Sequence, residues 1–201
     1  MNKIFKTAAA AALAAGLFAT SASAASVSPS QQSASAGVVI VPASASPHED
    51  DGLASRFKRG KIVDFSSAAA EGSIIVNTRQ NKLYLVLGNG KAVMYRIASA
   101  KKGFEWKGTH KVSAKAKWPS WRPPQEMRKR RPDLPVFMAG GPDNPLGARA
   151  LYLGSTIYRI HGTNEPSSIG KAASSGCIRM LNQDVTELYQ NVKLGAVVTV
   201  L

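Results

Sequence analysis

The chain has 201 residues, 44% hydrophobic and 19% charged, and its 26 Lys and Arg against 12 Asp and Glu give a formal charge of +14 at pH 7. That length suffices for a packed core of ordinary domain size, and the excess of base attracts polyanions. One cysteine, Cys177, excludes an intrachain disulfide, and no His/Cys/Asp/Glu cluster has metal-ligand spacing, so neither a metal nor another cofactor is expected.

Residues 1–24 carry Lys3 and Lys6, an apolar run from Ala8 to Ala19 and the small triplet Ala22-Ser23-Ala24. This is the layout of a cleavable secretory signal whose apolar part is too short to span a bilayer. Its removal would leave a charge of +12 and an exported protein of the periplasm or cell envelope, with no membrane span. Residues 25–71 are rich in Ala, Ser, Gln and Pro, with an acidic knot at Glu49 to Asp51 and a basic one from Arg56 to Lys61, and read as a low-complexity linker.

From Gly72 the texture changes to short alternating runs broken by Asn and Gly, the pattern of strands and hairpins. Strands are predicted over Ser73 to Asn77, Lys82 to Leu87, Ala92 to Ala98, His110 to Ala114, Ala150 to Leu153, Ile157 to His161 and Ala196 to Leu201. Within Lys82 to Leu87, the alternation places Leu83, Leu85 and Leu87 on one face. Pro123 and Pro124 open a short helix that Pro132 stops. A second helix follows Asn182, a plausible N-cap, with Val185, Leu188, Tyr189 and Val192 along one face and Gly195 after its end. The whole reads as a mainly β domain over residues 72–201, a sandwich or partly closed barrel with two or three short helices.

The charge is concentrated. Between Lys101 and Arg131 there are eleven Lys or Arg against Glu105 and Glu126. In an exported chain such a stretch points to anionic envelope polymers and carboxylate-rich peptides, not nucleic acid; a solvated basic face is the plainer alternative. Trp106, Trp118 and Trp121 lie within it, as cleft wall or as core anchors. His110 reads as a surface or substrate-adjacent residue.

The segment from His161 to Met180, HGTNEPSSIGKAASSGCIRM, holds the cysteine. A thiolate attacks carbonyls, and an imidazole nearby can take its proton. His161 ends a predicted strand, and a carbonyl at Gly162 could orient its ring. Ser174, Ser175 and Gly176 precede Cys177 in a turn whose N–H groups could converge as an oxyanion hole, for which Gly176 is the candidate. Arg179 could clamp a carboxylate through its planar fork. A buried, structural Cys177 is the alternative on these residues alone.

HGTNEPSSIG, the Ser-x-Gly-Cys-Ile-Arg-Met segment and NQDVTELYQNVKLGAVVTV, with GTHKVSAKAKWPSWRPP and GGPDNPLGARALYLG upstream, together resemble the catalytic domain of the L,D-transpeptidases, over nearly all of residues 72–201. The resemblance implies that Cys177 is the nucleophile and His161 its proton donor and acceptor, with the Gly162 carbonyl orienting the ring, Gly176 at the oxyanion, and Ser174, Ser175 and Arg179 facing substrate. Many relatives have Ser-His-Gly-Cys, whereas Ser175 occupies the histidine's place here. The implied partners are peptidoglycan stem peptides, as donor and acceptor, joined in 3-3 cross-links that build the cell wall and support cell shape. A carboxypeptidase, an enzyme anchoring proteins to peptidoglycan, or a non-catalytic wall-binding module remain alternatives.

Overall fold

The computed structural model describes residues 47–201. The expected secretory signal and the expected linker as far as residue 46 lie outside the described residues. The rest of that linker differs from expectation. Pro47–Arg56 forms helix α1 and Lys61–Asp64 forms strand β1. Arg56 in its last turn suits the helix dipole, a local signal that the low-complexity composition around it obscures.

All seven expected strands form: β2 (Ile74–Asn77), β3 (Lys82–Gly88), β4 (Lys91–Arg96), β6 (Gly108–Lys117), β7 (Arg149–Leu153), β8 (Arg159–His161) and β11 (Val197–Val200). Three further strands are too short to carry a periodicity: β5 (Ser99–Ala100), β9 (Ala172–Ser174) and β10 (Ile178–Arg179). Helix α2 is Gln125–Arg130 and α3 is Asn182–Asn191. In β3, Leu83 and Leu85 are buried as the alternation requires, but a register shift between Val86 and Gly88 turns Val86 inward as well. A bulge thus shifts the pleat where Leu87 was expected.

Nine strands make one sheet in the order β1-β4-β3-β2-β11-β6-β7-β8-β10, and β5 pairs with β9 in a second. The large sheet does not close into a barrel. Its β10 edge meets only an isolated bridge, in which Ala98 and Arg179 exchange N–H···O bonds of 2.9 and 3.0 Å. This bridge carries the chain segment of Cys177 against the end of β4. The core lies between the inner face of the sheet and α3, where Ile74, Leu83, Leu151, Ile160, Met180 and Leu188 are fully buried.

The N-terminal arm is tied to α3 by one carboxylate. Glu187, 8% exposed, accepts the N–H groups of Lys58 (2.8 Å) and Arg59 (3.0 Å) on Oε2, and that of Gly60 (3.0 Å) and the Tyr95 hydroxyl (2.9 Å) on Oε1. Four donors on a buried carboxylate hold the chain turn that delivers β1 to the sheet edge and Phe57 to the core. Truncating Glu187 leaves those donors without a partner, so Glu187→Ala should lower unfolding free energy by about 3 kcal/mol. Urea titration measures this, and limited proteolysis should cut the variant, not the parent, between residues 56 and 61.

Candidate active site

The parallel pair β8–β10 sets the site. Its register places Ile178 beside Ile160 and Arg179 beside His161, and both isoleucines point into the core. Alternation therefore turns Arg159, His161 and Arg179 to the opposite face, and the same register carried back one residue puts Cys177 beside Arg159. That face opens on a cleft of about 680 Å³ lined by Cys177, His161, Arg159, Arg179, Ser174 and Ser175. The opposing wall is the long excursion between β6 and β7, which contributes Trp121, Met127, Arg130, Met138 and Leu146. Asn164 reaches across to donate to the Asp143 carbonyl (2.8 Å), joining the two walls. Asn144, in the expected buttressing turn DNPLG, braces the far wall by donating to Ala139 O (2.9 Å) and accepting from Leu146 N (2.9 Å).

His161 is 4% exposed, and its Nδ1 lies 2.6 Å from the Gly162 carbonyl. A carbonyl only accepts, so Nδ1 carries the proton and Nε2 is left with its lone pair. Burial pushes the imidazole pKa down to about 3; the Gly162 bond opposes this, while the charges of Arg179 and Arg159 add to it. The half-buried Cys177 thiol is pushed up by burial, and the Arg159 backbone and charge, then Arg179, pull the other way. Thiol and imidazole are therefore both neutral at pH 7. A neutral imidazole and a neutral thiol in one cleft are groups that acyl transfer can use.

A second amide holds the histidine's support in place. Asn182 does not cap α3 with its side chain; Leu181 occupies the N-cap position. Its Oδ1 instead accepts from Ala148 N (2.9 Å) and Thr163 N (3.1 Å), and its Nδ2 donates to Thr163 O (3.0 Å). A Cβ on Gly162 would collide with that Oδ1, so a glycine is required where the chain passes the amide.

The turn before the cysteine is closed on itself. The Ser174 hydroxyl, 1% exposed, donates to the Cys177 carbonyl and accepts from Gly176 N (3.2 Å). The Gly176 N–H is thus bonded within the turn, while the neighbouring Cys177 N–H has no partner among the described residues. Gly176 has φ of 113°, and its carbonyl accepts from Trp106 Nε1 (2.7 Å), which stacks on Tyr158 at 4.3 Å. Trp106 is therefore a core-side clamp, Trp121 lines the cleft, and Trp118 is exposed. His110 tilts against Trp106 and does not line the cleft. Ser175 is half-buried in the cleft wall. Arg179 is bound to Glu165 at 3.0 Å. Sequence reasoning missed Asn182 and Arg159; the alternation of Arg159, Ile160 and His161 was the available signal for the latter.

A family model described as "YkuD: L,D-transpeptidase catalytic domain" matches residues 71–200. The Escherichia coli protein named "Probable L,D-transpeptidase ErfK/SrfK" is 37% identical over 137 residues, 64% of this chain and 43% of that protein. "Probable L,D-transpeptidase YbiS" of the same organism is 35% identical over 131 residues, 61% of this chain and 42% of its own length. The match thus spans under half the length of these two relatives. In fold, the chain resembles an Enterococcus faecium L,D-transpeptidase with a TM-score of 0.53 at 16% identity, over 66% of this chain and 50% of that one.

Two outcomes test this geometry. A histidine held neutral in the fold but free to ionise when unfolded stabilises above its unfolded pKa of about 6.5, and that stability is lost as pH falls toward 3. Relative to His161→Gln, the parent should therefore lose about 1.4 kcal/mol per pH unit below pH 6 in urea unfolding; parallel pH profiles would contradict it. Asn182→Ala should cost about 2 kcal/mol by leaving the buried Ala148 and Thr163 N–H groups unpaired, and the His161 ring resonances should shift in NMR spectra.

Proposed function

The chain belongs to the L,D-transpeptidase catalytic-domain family, and on that premise we propose that it is an exported enzyme of cell-wall biogenesis that joins peptidoglycan stem peptides in 3-3 cross-links through a thioester on Cys177. The observation that carries this reading is the His161 ring, fixed by Nδ1–H on the Gly162 carbonyl with Nε2 unprotonated, in the same cleft as the chain's single thiol. Lys101, Arg130 and Arg131 around the cleft suit carboxylate-bearing stems.

The steps follow from the neutral resting pair. Cys177 Sγ attacks the carbonyl carbon of the third stem residue, an L-centre, while the thiol proton passes to His161 Nε2. The carbonyl oxygen takes up the displaced electron pair beside the Cys177 N–H. The carbon–nitrogen bond to the terminal D-alanine then breaks as Nε2 returns its proton to the leaving nitrogen, and the acyl group remains on sulfur. The amine of a second stem attacks this thioester, gives its proton to Nε2, and releases sulfur, which recovers the proton. Burial keeps imidazolium costly, so proton transfer accompanies bond making and does not precede it. With Ser175 beside Gly176, His161 serves both half-reactions.

Incubated with purified disaccharide tetrapeptide, the chain should release D-alanine and form 3-3-linked dimers, identified by mass spectrometry. Cys177→Ala should form neither while keeping its unfolding midpoint. Tripeptide without dimer would make water the acceptor and the enzyme a carboxypeptidase. Neither product, with no carbapenem adduct on the intact mass, would leave a wall-binding module.

A further inference from the structure

Two guanidinium groups face the cleft beside the thiol, and they are not equivalent. Arg179 is already paired with Glu165 at 3.0 Å. Arg159 has no carboxylate partner among the described residues, and its Nε is buried without a hydrogen bond. Behind it lies only the Tyr152 ring, 5.2 Å from the guanidinium carbon. The β8–β10 register sets Arg159 next to Cys177 on the face that opens to the cleft.

The other cations of the cleft lie on other segments and have other neighbours. Arg131 makes two bonds to Asp133, and Lys101 and Arg130 both lie over the Phe104 ring. Asp143 belongs to the far wall, Glu165 is taken by Arg179, and His161 is neutral. Arg159 is thus the cation that the β8–β10 register sets next to the sulfur, and its Nε has no acceptor.

We infer that Arg159 stabilises the Cys177 thiolate as it forms, an assignment that rests on the proposed role of Cys177 as nucleophile. A buried thiol resists ionisation because its thiolate loses hydration, and a guanidinium beside it restores much of that loss. His161 can take the proton but, once protonated, cannot linger in so dry a position. Arg159 supplies a fixed positive charge shared with no carboxylate, whereas the imidazole is neutral and Arg179 divides its charge with Glu165.

The test reads the thiol directly. Iodoacetamide is uncharged and carries no carboxylate for Arg159 to bind, so its reaction with Cys177 reports thiolate formation alone. Across pH 6 to 11, Arg159→Met should raise the apparent pKa of alkylation by about one unit and slow alkylation at pH 7 about tenfold. Arg159→Lys, which keeps the charge, should recover most of that loss, and Arg159→Gln replaces the Met variant if circular dichroism shows the latter unfolded. Superimposable profiles for the parent and the uncharged variant would overturn the inference. So would an unchanged profile with a raised KM for the tetrapeptide, which would make Arg159 a substrate clamp. Because alkylation is measured without stem peptide, a shifted profile in a chain that forms no stem product would sink the transpeptidase reading and leave this one standing.

Discussion

The side-chain amide of Asn182 binds three backbone segments that the chain order keeps apart: the entry to β7 at Ala148, the turn after His161 at Thr163, and the first residue of α3. Everything that orients the imidazole passes through it. The Gly162 carbonyl can meet Nδ1 because the peptide after it is held on both sides, through Thr163 N and Thr163 O. An amide suits this task because it donates and accepts at once. A carboxylate would face the Thr163 carbonyl with a second acceptor, and a hydroxyl is too short to span the gap. α3 therefore contributes more than its apolar face: the residue at its start fixes the loop that fixes the base.

A second consequence concerns where the charge is during the reaction. Burial drives the imidazole toward the neutral form and the thiol toward the neutral form, so Cys177 and His161 do not form an ion pair with each other at rest. Cysteine enzymes that store a thiolate do so with an imidazolium or a helix N-terminus beside it. Here the sulfur follows a turn whose Gly176 N–H is spent on Ser174 and precedes a short strand, not a helix. The turn is rigid instead. Trp106, stacked on Tyr158, grips the Gly176 carbonyl, and Ser174 bridges the two ends of the turn. Such rigidity leaves the Cys177 N–H with a fixed direction, which is what a developing oxyanion needs from its donor.

The long strands were legible because each buries one face, and a buried face writes a period of two into the sequence. Cys177 and His161 were legible as a candidate pair, but on the residues alone a buried structural cysteine stayed open, and the resemblance to the L,D-transpeptidases is what implied their roles. What escaped was of two kinds. Strands β5, β9 and β10 are two or three residues long and owe their existence to neighbours, so no local pattern announces them. α1 and β1 sit in a segment whose composition resembles a linker, and distant partners, Glu187 and the β4 edge among them, give it a place. Asn182 looked like a helix cap, a local polar group, while its partners are backbone atoms set by tertiary approach.

The basic stretch also divides once folded, and the division matters more than the total charge. Lys115 turns inward to donate to the Tyr189 and Val192 carbonyls (2.6 and 2.7 Å), closing the end of α3, and burial lowers its pKa. Lys129 pairs with Glu126 on the exposed face of α2. Lys101, Arg130 and Arg131 are the members that reach the cleft. Only these act on a ligand at short range; the others add to a field that salt screens within about 10 Å. An anionic ligand drawn by that field enters a cleft whose innermost cation is Arg159, with no competing carboxylate of its own. In the proposed reaction that cation stands beside the sulfur, where the negative charge forms.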